Sequence, residues 1–216
     1  MVMKLLIMGA PGAGKGSVSE VLVQKTGITH LAMGDLLRYD KAIQEKFGDI
    51  INPLIQAGKF VPDDMTIEII KHKLNQLGEE TSILLDGYPR TIYQTEKLLE
   101  ITHLTGIIHV VLDDEKIISR LSKRRVCECG ATYNLDSKPP KNTGVCDYDG
   151  KPLIHRKDDQ PEIIKERLVT FREKTEPILA LLKEKGISIL KVNGGWDIKT
   201  ESDALIEKII SWQKAV

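Results

Sequence analysis

Residues Gly9-Ala10-Pro11-Gly12-Ala13-Gly14-Lys15-Gly16-Ser17 bring together the groups needed to hold phosphate. Glycines let the backbone curl so that successive N–H groups face one point, and a helix starting there adds its dipole. Lys15 contributes a full positive charge that can reach β- and γ-phosphates. The general pattern puts Ser or Thr directly after the lysine as a magnesium ligand; here Gly16 intervenes, and the Ser17 hydroxyl comes one place late. The competing reading is a flexible loop of small residues. It explains neither the apolar run Leu5-Leu6-Ile7-Met8 before the loop nor the helical stretch after it.

Other candidates follow the same chemistry. Asp86, in Asp86-Gly87-Tyr88-Pro89-Arg90-Thr91, follows the apolar run SILL. A carboxylate at the tip of a buried strand can hold magnesium through its water shell, or simply cap a turn. Arg90 can fork onto phosphate oxygens. Arg38, in Met33-Gly34-Asp35-Leu36-Leu37-Arg38, is either a second anion contact or a solvated surface arginine. Arg120, Arg124 and Arg125 precede a stretch of altered composition, Arg156-Lys157-Asp158-Asp159-Gln160 closes it, and Arg167 follows two helical turns later. These are solvated helix ends or, if the inserted stretch closes, arginines brought together.

The elements that must position them can be read from periodicity. Buried-strand runs lie at 4–8, 82–85, 107–112 and 187–192, with a weaker one at 28–32. Helical spacing is expected over Met65–Leu77, Thr91–Leu99, Glu115–Lys123, Pro161–Glu184 and Ser202–Lys214. Alternating strands and helices predict a parallel α/β sheet, with ligands at the carboxyl ends of its strands. Residues 33–61 read as helical with no strand of their own. Residues 125–156, with all three cysteines, Pro139-Pro140 and frequent turn signals, read as a small β-rich insertion.

Composition excludes several classes. Hydrophobic content of 41% and charged content of 29% suit a globular protein with one sizeable core. Lysine plus arginine equal aspartate plus glutamate at 31 each, so there is no basic excess for nucleic acid. No apolar run reaches membrane-spanning length, and the opening residues lead straight into a strand rather than a signal peptide. Three cysteines clustered between 127 and 146 do not make a secreted disulfide framework, so a cytoplasmic location is expected. The five histidines and Trp196 and Trp212 read as packing or surface residues.

Taken together, GAPGAGKGS at 9–17, GDLLR at 34–38, GKFVPD at 58–63, LLDGYPRT at 84–91 with Gln94, RLSKRR at 120–125 and RKDDQ at 156–160 with Arg167 resemble the adenylate kinases, among the nucleoside monophosphate kinases. The motifs occur in the family's order and cover nearly the whole chain. The resemblance implies a monomer that transfers the γ-phosphoryl of Mg-ATP reversibly to AMP, giving two ADP, without nucleic-acid or membrane partners. It implies a P-loop parallel sheet core with helices on both faces (1–32, 62–123 and 162–216), a helical AMP-binding lobe (33–61) and a small β-rich lid (124–161). By the same resemblance Lys15, Arg90, Arg124, Arg156 and Arg167 are the catalytic phosphate contacts. Gly12, Ala13, Gly14, Lys15, Gly16, Ser17, Arg120, Arg124, Thr132, Tyr133 and Trp196 would lie along ATP, with Asp86 holding Mg2+ through water. Met33, Arg38, Lys59, Phe60, Val61, Gly87, Tyr88, Pro89, Arg90, Gln94, Arg156 and Arg167 would lie along AMP.

Two departures stand out. Where many relatives have Thr before the Gly-Asp pair, this chain has Met33, which removes a hydroxyl from a position facing the AMP base. Gln94, rather than the Asn common in pyrimidine monophosphate kinases, still favours AMP. In the lid, the usual C-x2-C is shortened to Cys127-Glu128-Cys129, and the second pair is Cys146 with Asp149. Three thiolates and a carboxylate at this spacing suit a structural Zn2+; the other reading is a lid whose cysteines hold no metal. Two further functions stay open: a kinase of other specificity (GTP:AMP or UMP/CMP), kept alive by Met33, and a non-catalytic P-loop switch.

Overall fold

A computed structural model of the chain describes residues 2–196 and 200–215. It falls into two compact units, Met1–Gly34 with Pro62–Leu112 and Thr170–Val216, and Asp35–Val61 with Asp113–Val169.

The first unit is built on β1 (Lys4–Met8), β2 (Thr29–Ala32), β3 (Ile83–Asp86), β4 (Gly106–Val111) and β7 (Ile189–Asn193). The strands are all parallel, in the order β2-β3-β1-β4-β7. Leu5 to Met8 and Ile83 to Leu85 are buried, because crossover helices leave neither face of a parallel sheet to solvent. Helix α1 (Lys15–Thr26) packs on β1, β2 and β3 and meets α9 (Ser202–Ala215). Helices α4 (Asp63–Leu77), α5 (Ile92–Ile101) and α8 (Pro177–Glu184) form a second packed set. Trp212 of α9 packs its ring against Gly106 and donates to Ser188 Oγ at 2.9 Å, as a packing tryptophan should.

The register Ile7↔Asp86 sets the carboxyl ends of β1 and β3 side by side, which brings the glycine loop and Asp86 to one edge. All five expected strands form. The expected single helix Pro161–Glu184 does not. It divides into α7 (Pro161–Thr170), a π-helical turn Phe171–Thr175 and α8, with Glu176 N donating to Phe171 O at 2.8 Å. Pro177 is the cause: it offers no N–H and its ring excludes the carbonyl four residues back, so the preceding turn widens.

The second unit holds most of α2 (Met33–Tyr39), with α3 (Lys41–Gln56), α6 (Asp114–Ser122), β5 (Arg124–Val126), β6 (Thr132–Asn134) and α7 up to Val169. Asp40 caps α3 by accepting from Ile43 N at 3.2 Å. The expected β-rich insertion is a three-residue antiparallel hairpin, β5 with β6, extended by single bridges such as Val126↔Ile154 and Val145↔Pro152. Its core is small: Cys127, Tyr133 and Cys146, with Ala131 and Leu153 against them.

Candidate functional site

In the first unit the glycine loop turns into α1 at Gly14, whose φ of 107° lies in the left-handed region that a side chain would resist. Lys15 is the first residue of α1, so its charge and the open helix end coincide. Its Nζ donates to the loop carbonyls of Gly9 (2.8 Å) and Ala10 (3.0 Å), folding the ammonium back over the loop. The loop is backed by Gly194, where a Cβ would come 1.8 Å from Ala13 O. Gly194 therefore lies against the loop, and Trp196, two residues on, is half-buried.

Asp86, at the end of β3, has His30 Nε2 3.5 Å from its Oδ2. Burial alone would raise this carboxyl, but His30, Lys15 and Arg90 outweigh it and hold the group below the usual carboxylate range. His30, read from sequence as a packing residue, is thus a neighbour of the candidate magnesium carboxylate. Its position opposite Leu84 on the adjoining strand was hidden until strand order was known.

The Gly87–Thr91 loop is fixed from several sides. Arg90 Nε donates to Gly87 O (2.8 Å), Thr175 Oγ1 donates to Arg90 O (3.0 Å), and Thr91 caps α5 by accepting from Gln94 N (3.1 Å). The Tyr88–Pro89 bond is cis, and the buried Tyr88 hydroxyl has its pKa pushed up by burial and by Asp63. Gln94 and Met33 are both buried.

The second unit gathers four of the expected arginines around two acids of the RKDDQ segment that sequence pattern does not single out. Asp158 and Asp159 sit on a 3-10 turn, Lys157–Asp159, and are buried. Asp159 takes Arg124 in a fork, Nε at 2.7 Å and Nη2 at 2.6 Å, and Arg167 Nη1 at 3.3 Å. Asp158 Oδ2 takes Arg38 Nη2 and Arg167 Nη1, each at 3.0 Å. The carboxyl of Asp158, which burial would raise, is held low by Arg167, Arg38, Arg124 and Arg156. Arg156 is served least well. Its Nη2 is 3.8 Å from Asp35 Oδ1, and its buried Nε has no hydrogen-bond partner among the described residues. Burial, then Arg124 and Arg38, push its pKa down, so its charge is under-compensated. Within this cluster Arg156 is the guanidinium that an anion would satisfy. Arg120, on α6, is half-buried in the same unit, and its carbonyl accepts from Asn134 Nδ2 at 3.1 Å.

Lys59 to Val61 follow α3, with Lys59 N bonded to Leu54 O at 2.9 Å. Thr132 is exposed on β6, whereas Tyr133 points into the insertion, its hydroxyl 3.5 Å from Cys146 Sγ and accepting from Asp147 N at 2.8 Å. Any contact of Tyr133 with nucleotide falls to its backbone. Beside it, the ligand atoms of Cys127, Cys129, Cys146 and Asp149 all lie within 4.8 Å of one another. Cys129 and Cys146 sulfurs are 3.6 Å apart, close to the ~3.8 Å edge of a tetrahedron with Zn–S bonds of about 2.3 Å. Cys127 Sγ to Asp149 Oδ1 is 3.2 Å, so the shortened Cys127–Cys129 spacing still brings four donors to one point.

A family model described as adenylate kinase matches residues 7–187. The chain belongs to the adenylate kinase family. It is 40% identical over 203 residues to the adenylate kinase of Bacillus subtilis, covering 91% of this chain and 93% of that protein. It is 39% identical over 217 residues to that of Oceanobacillus iheyensis (95% and 100%), and 39% over 196 residues to that of Caldicellulosiruptor saccharolyticus (88% and 91%). Adenylate kinases are phosphotransferases, and the phosphate loop and arginines described above are the parts such an enzyme requires. Among the described residues no helix is long and apolar enough to cross a membrane.

Proposed function

We propose that the chain transfers the γ-phosphoryl group of Mg-ATP reversibly to AMP, giving two ADP, as a cytoplasmic monomer without nucleic-acid or membrane partners. Beyond family membership, the observation that carries this reading is the under-compensated buried charge of Arg156 beside Arg38, Arg124 and Arg167. A switch protein that only holds one nucleotide has no need of it. Phosphoryl transfer does, because charge spreads over the phosphate oxygens in the transition state.

Gly12 to Ser17 would cradle the ATP phosphates, with Lys15 leaving its loop carbonyls for the β- and γ-oxygens. Magnesium supplies charge neutralisation when bound with ATP, and Asp86, kept ionised by His30, Lys15 and Arg90, is the group to hold it through water. Arg120, Thr132, Tyr133 and the backbone at Trp196 would lie along the rest of ATP. Arg38 and Arg90 would take the AMP phosphate, and Arg124, Arg156 and Arg167 the group in transfer. Met33, Lys59 to Val61, Gly87 to Pro89 and Gln94 would line the AMP base and sugar. No general base is required, since the AMP phosphate already carries nucleophilic oxygens. Residues 33–61 and 124–161, as lobe and lid on a core of the remaining segments, would exclude water and so prevent hydrolysis of ATP. The Cys127, Cys129, Cys146 and Asp149 cluster would hold a structural zinc, because a three-residue buried core is too small to fix such an insertion alone.

Initial rates with AMP, CMP, UMP and GMP as acceptors test the assignment. AMP is expected to be preferred by at least about a hundredfold in kcat/KM. Faster turnover of CMP or UMP overturns it.

A further inference from the structure

Gln94 is the centre of a polar network within the first unit, and only 2% of its surface is exposed. Its Nε2 donates to Asp63 Oδ1 at 2.8 Å and to Thr66 Oγ1 at 3.0 Å. Thr66 can accept there because its own hydroxyl hydrogen goes to Asp63 O at 2.8 Å. On the other side Gln94 Oε1 accepts from Arg90 N at 2.6 Å. A carboxylate only accepts and a peptide N–H only donates, so the amide can stand in one orientation alone. Asp63 is itself held, since its Oδ2 accepts from Thr91 Oγ1 at 2.8 Å, and Thr91 Oγ1 in turn accepts from Gln94 N. Both amide hydrogens of Gln94 are therefore committed. What the side chain has left is one lone pair on Oε1.

We propose that Asp63 is a positioning residue for acceptor selectivity: by engaging Gln94 Nε2, it leaves Gln94 able only to accept a hydrogen bond, so that the site takes purines with a 6-amino group and rejects those with a 6-keto group. This rests on the reading of Gln94 as a residue facing the acceptor base. A glutamine free to rotate could serve either base, donating to a keto oxygen or accepting from an amine. A glutamine pinned by Asp63 sets oxygen against a keto oxygen, leaving two acceptors buried without a proton between them. The selectivity then comes from a carboxylate that need not touch the base. It also compensates for the hydroxyl that Met33 lacks, since it sharpens the one hydrogen-bonding residue that remains.

The test compares kcat/KM for AMP and for inosine monophosphate, its 6-keto counterpart, in the full-length enzyme. Gln94→Leu should cut the AMP-to-inosine ratio by about a hundredfold, as expected when a site loses its hydrogen-bonding partner for a base. Asp63→Ala should cut it by about tenfold or more, mainly through KM for AMP, with KM for ATP within about twofold. The double variant should fall no lower than Gln94→Leu alone, because Asp63 acts through Gln94. A ratio unmoved by Gln94→Leu removes the base-reading role of Gln94 and the proposal with it. A ratio collapsed by Gln94→Leu but kept by folded Asp63→Ala overturns the positioning role alone. If Asp63→Ala does not fold, Asp63→Ser, which lacks the carboxylate that engages Gln94 Nε2, is read the same way; an unmoved ratio there also overturns the proposal.

Discussion

The two units present their proposed phosphate contacts by opposite means. In the first unit the proposed anion site is a loop of backbone: Gly12 to Gly14, the open end of α1, and one lysine resting on the carbonyls of Gly9 and Ala10. In the second it is made of side chains, four arginines held by Asp35, Asp158 and Asp159. Backbone N–H groups carry partial charges fixed by the fold, so they need no counter-ion when no phosphate is present. Buried guanidiniums carry whole charges, and each must have a partner or it destabilises the fold. The loop can therefore be spent entirely on ligand. The arginine cluster has to stabilise itself first, and Asp158 and Asp159 do that.

Substitutions that strike one region at a time can break this contrast. Lys15→Met should lower kcat by about a thousandfold or more while moving the melting temperature by only a degree or two, because the loop keeps its backbone geometry. Steady-state rates and calorimetry together check it, and a large loss of stability would erase the distinction. Asp159→Ala leaves Arg124 buried without its carboxylate and Arg167 with Asp158 alone, and should cost about 3–5 kcal/mol, or on the order of 10 °C in melting. Near-native stability in this variant would mean that the arginines do not depend on their acids. The smallest effect is expected from the metal. Elemental analysis should find about one equivalent of zinc, and stripping it with chelator should lower melting by on the order of 5 °C. The arginine cluster holds itself through Asp158 and Asp159, so activity at low temperature should largely survive. Less than a tenth of an equivalent, with melting unchanged in chelator, would remove the structural metal.

Much of the first region was legible in residue order. The strand runs at 4–8 and 82–85 are apolar throughout, as buried parallel strands must be, and the glycine loop follows one of them directly. Residues within nine positions of each other lie near each other in any fold. Pro177 also carried a readable signal, since a proline inside a helical pattern marks a break, yet the periodicity across Pro161–Glu184 masked it. The second region was only half legible. Arg38, Arg124, Arg156 and Arg167 stand out in the motifs, but Asp158 and Asp159 read as an ordinary charged turn. Their value comes from burial, and burial of a charge cannot be read from a local pattern.

Sequence by itself determined the chemistry available: a glycine loop of phosphate-binding pattern with Gly16 in place of a hydroxyl, a set of arginines, and four side chains of types that can ligate a metal. It also determined the alternation of strand and helix that places the loop at the carboxyl ends of the sheet's strands. Tertiary structure alone decided which carboxylate meets which cation. His30 finds Asp86, Asp159 forks onto Arg124, and Asp63 turns the amide of Gln94. The physical reason is range. Periodicity and loop chemistry act over a few residues, whereas contacts such as Asp63 with Gln94, 31 positions apart, or Arg38 with Asp158, 120 apart, form only after strand order and helix packing have brought the residues together.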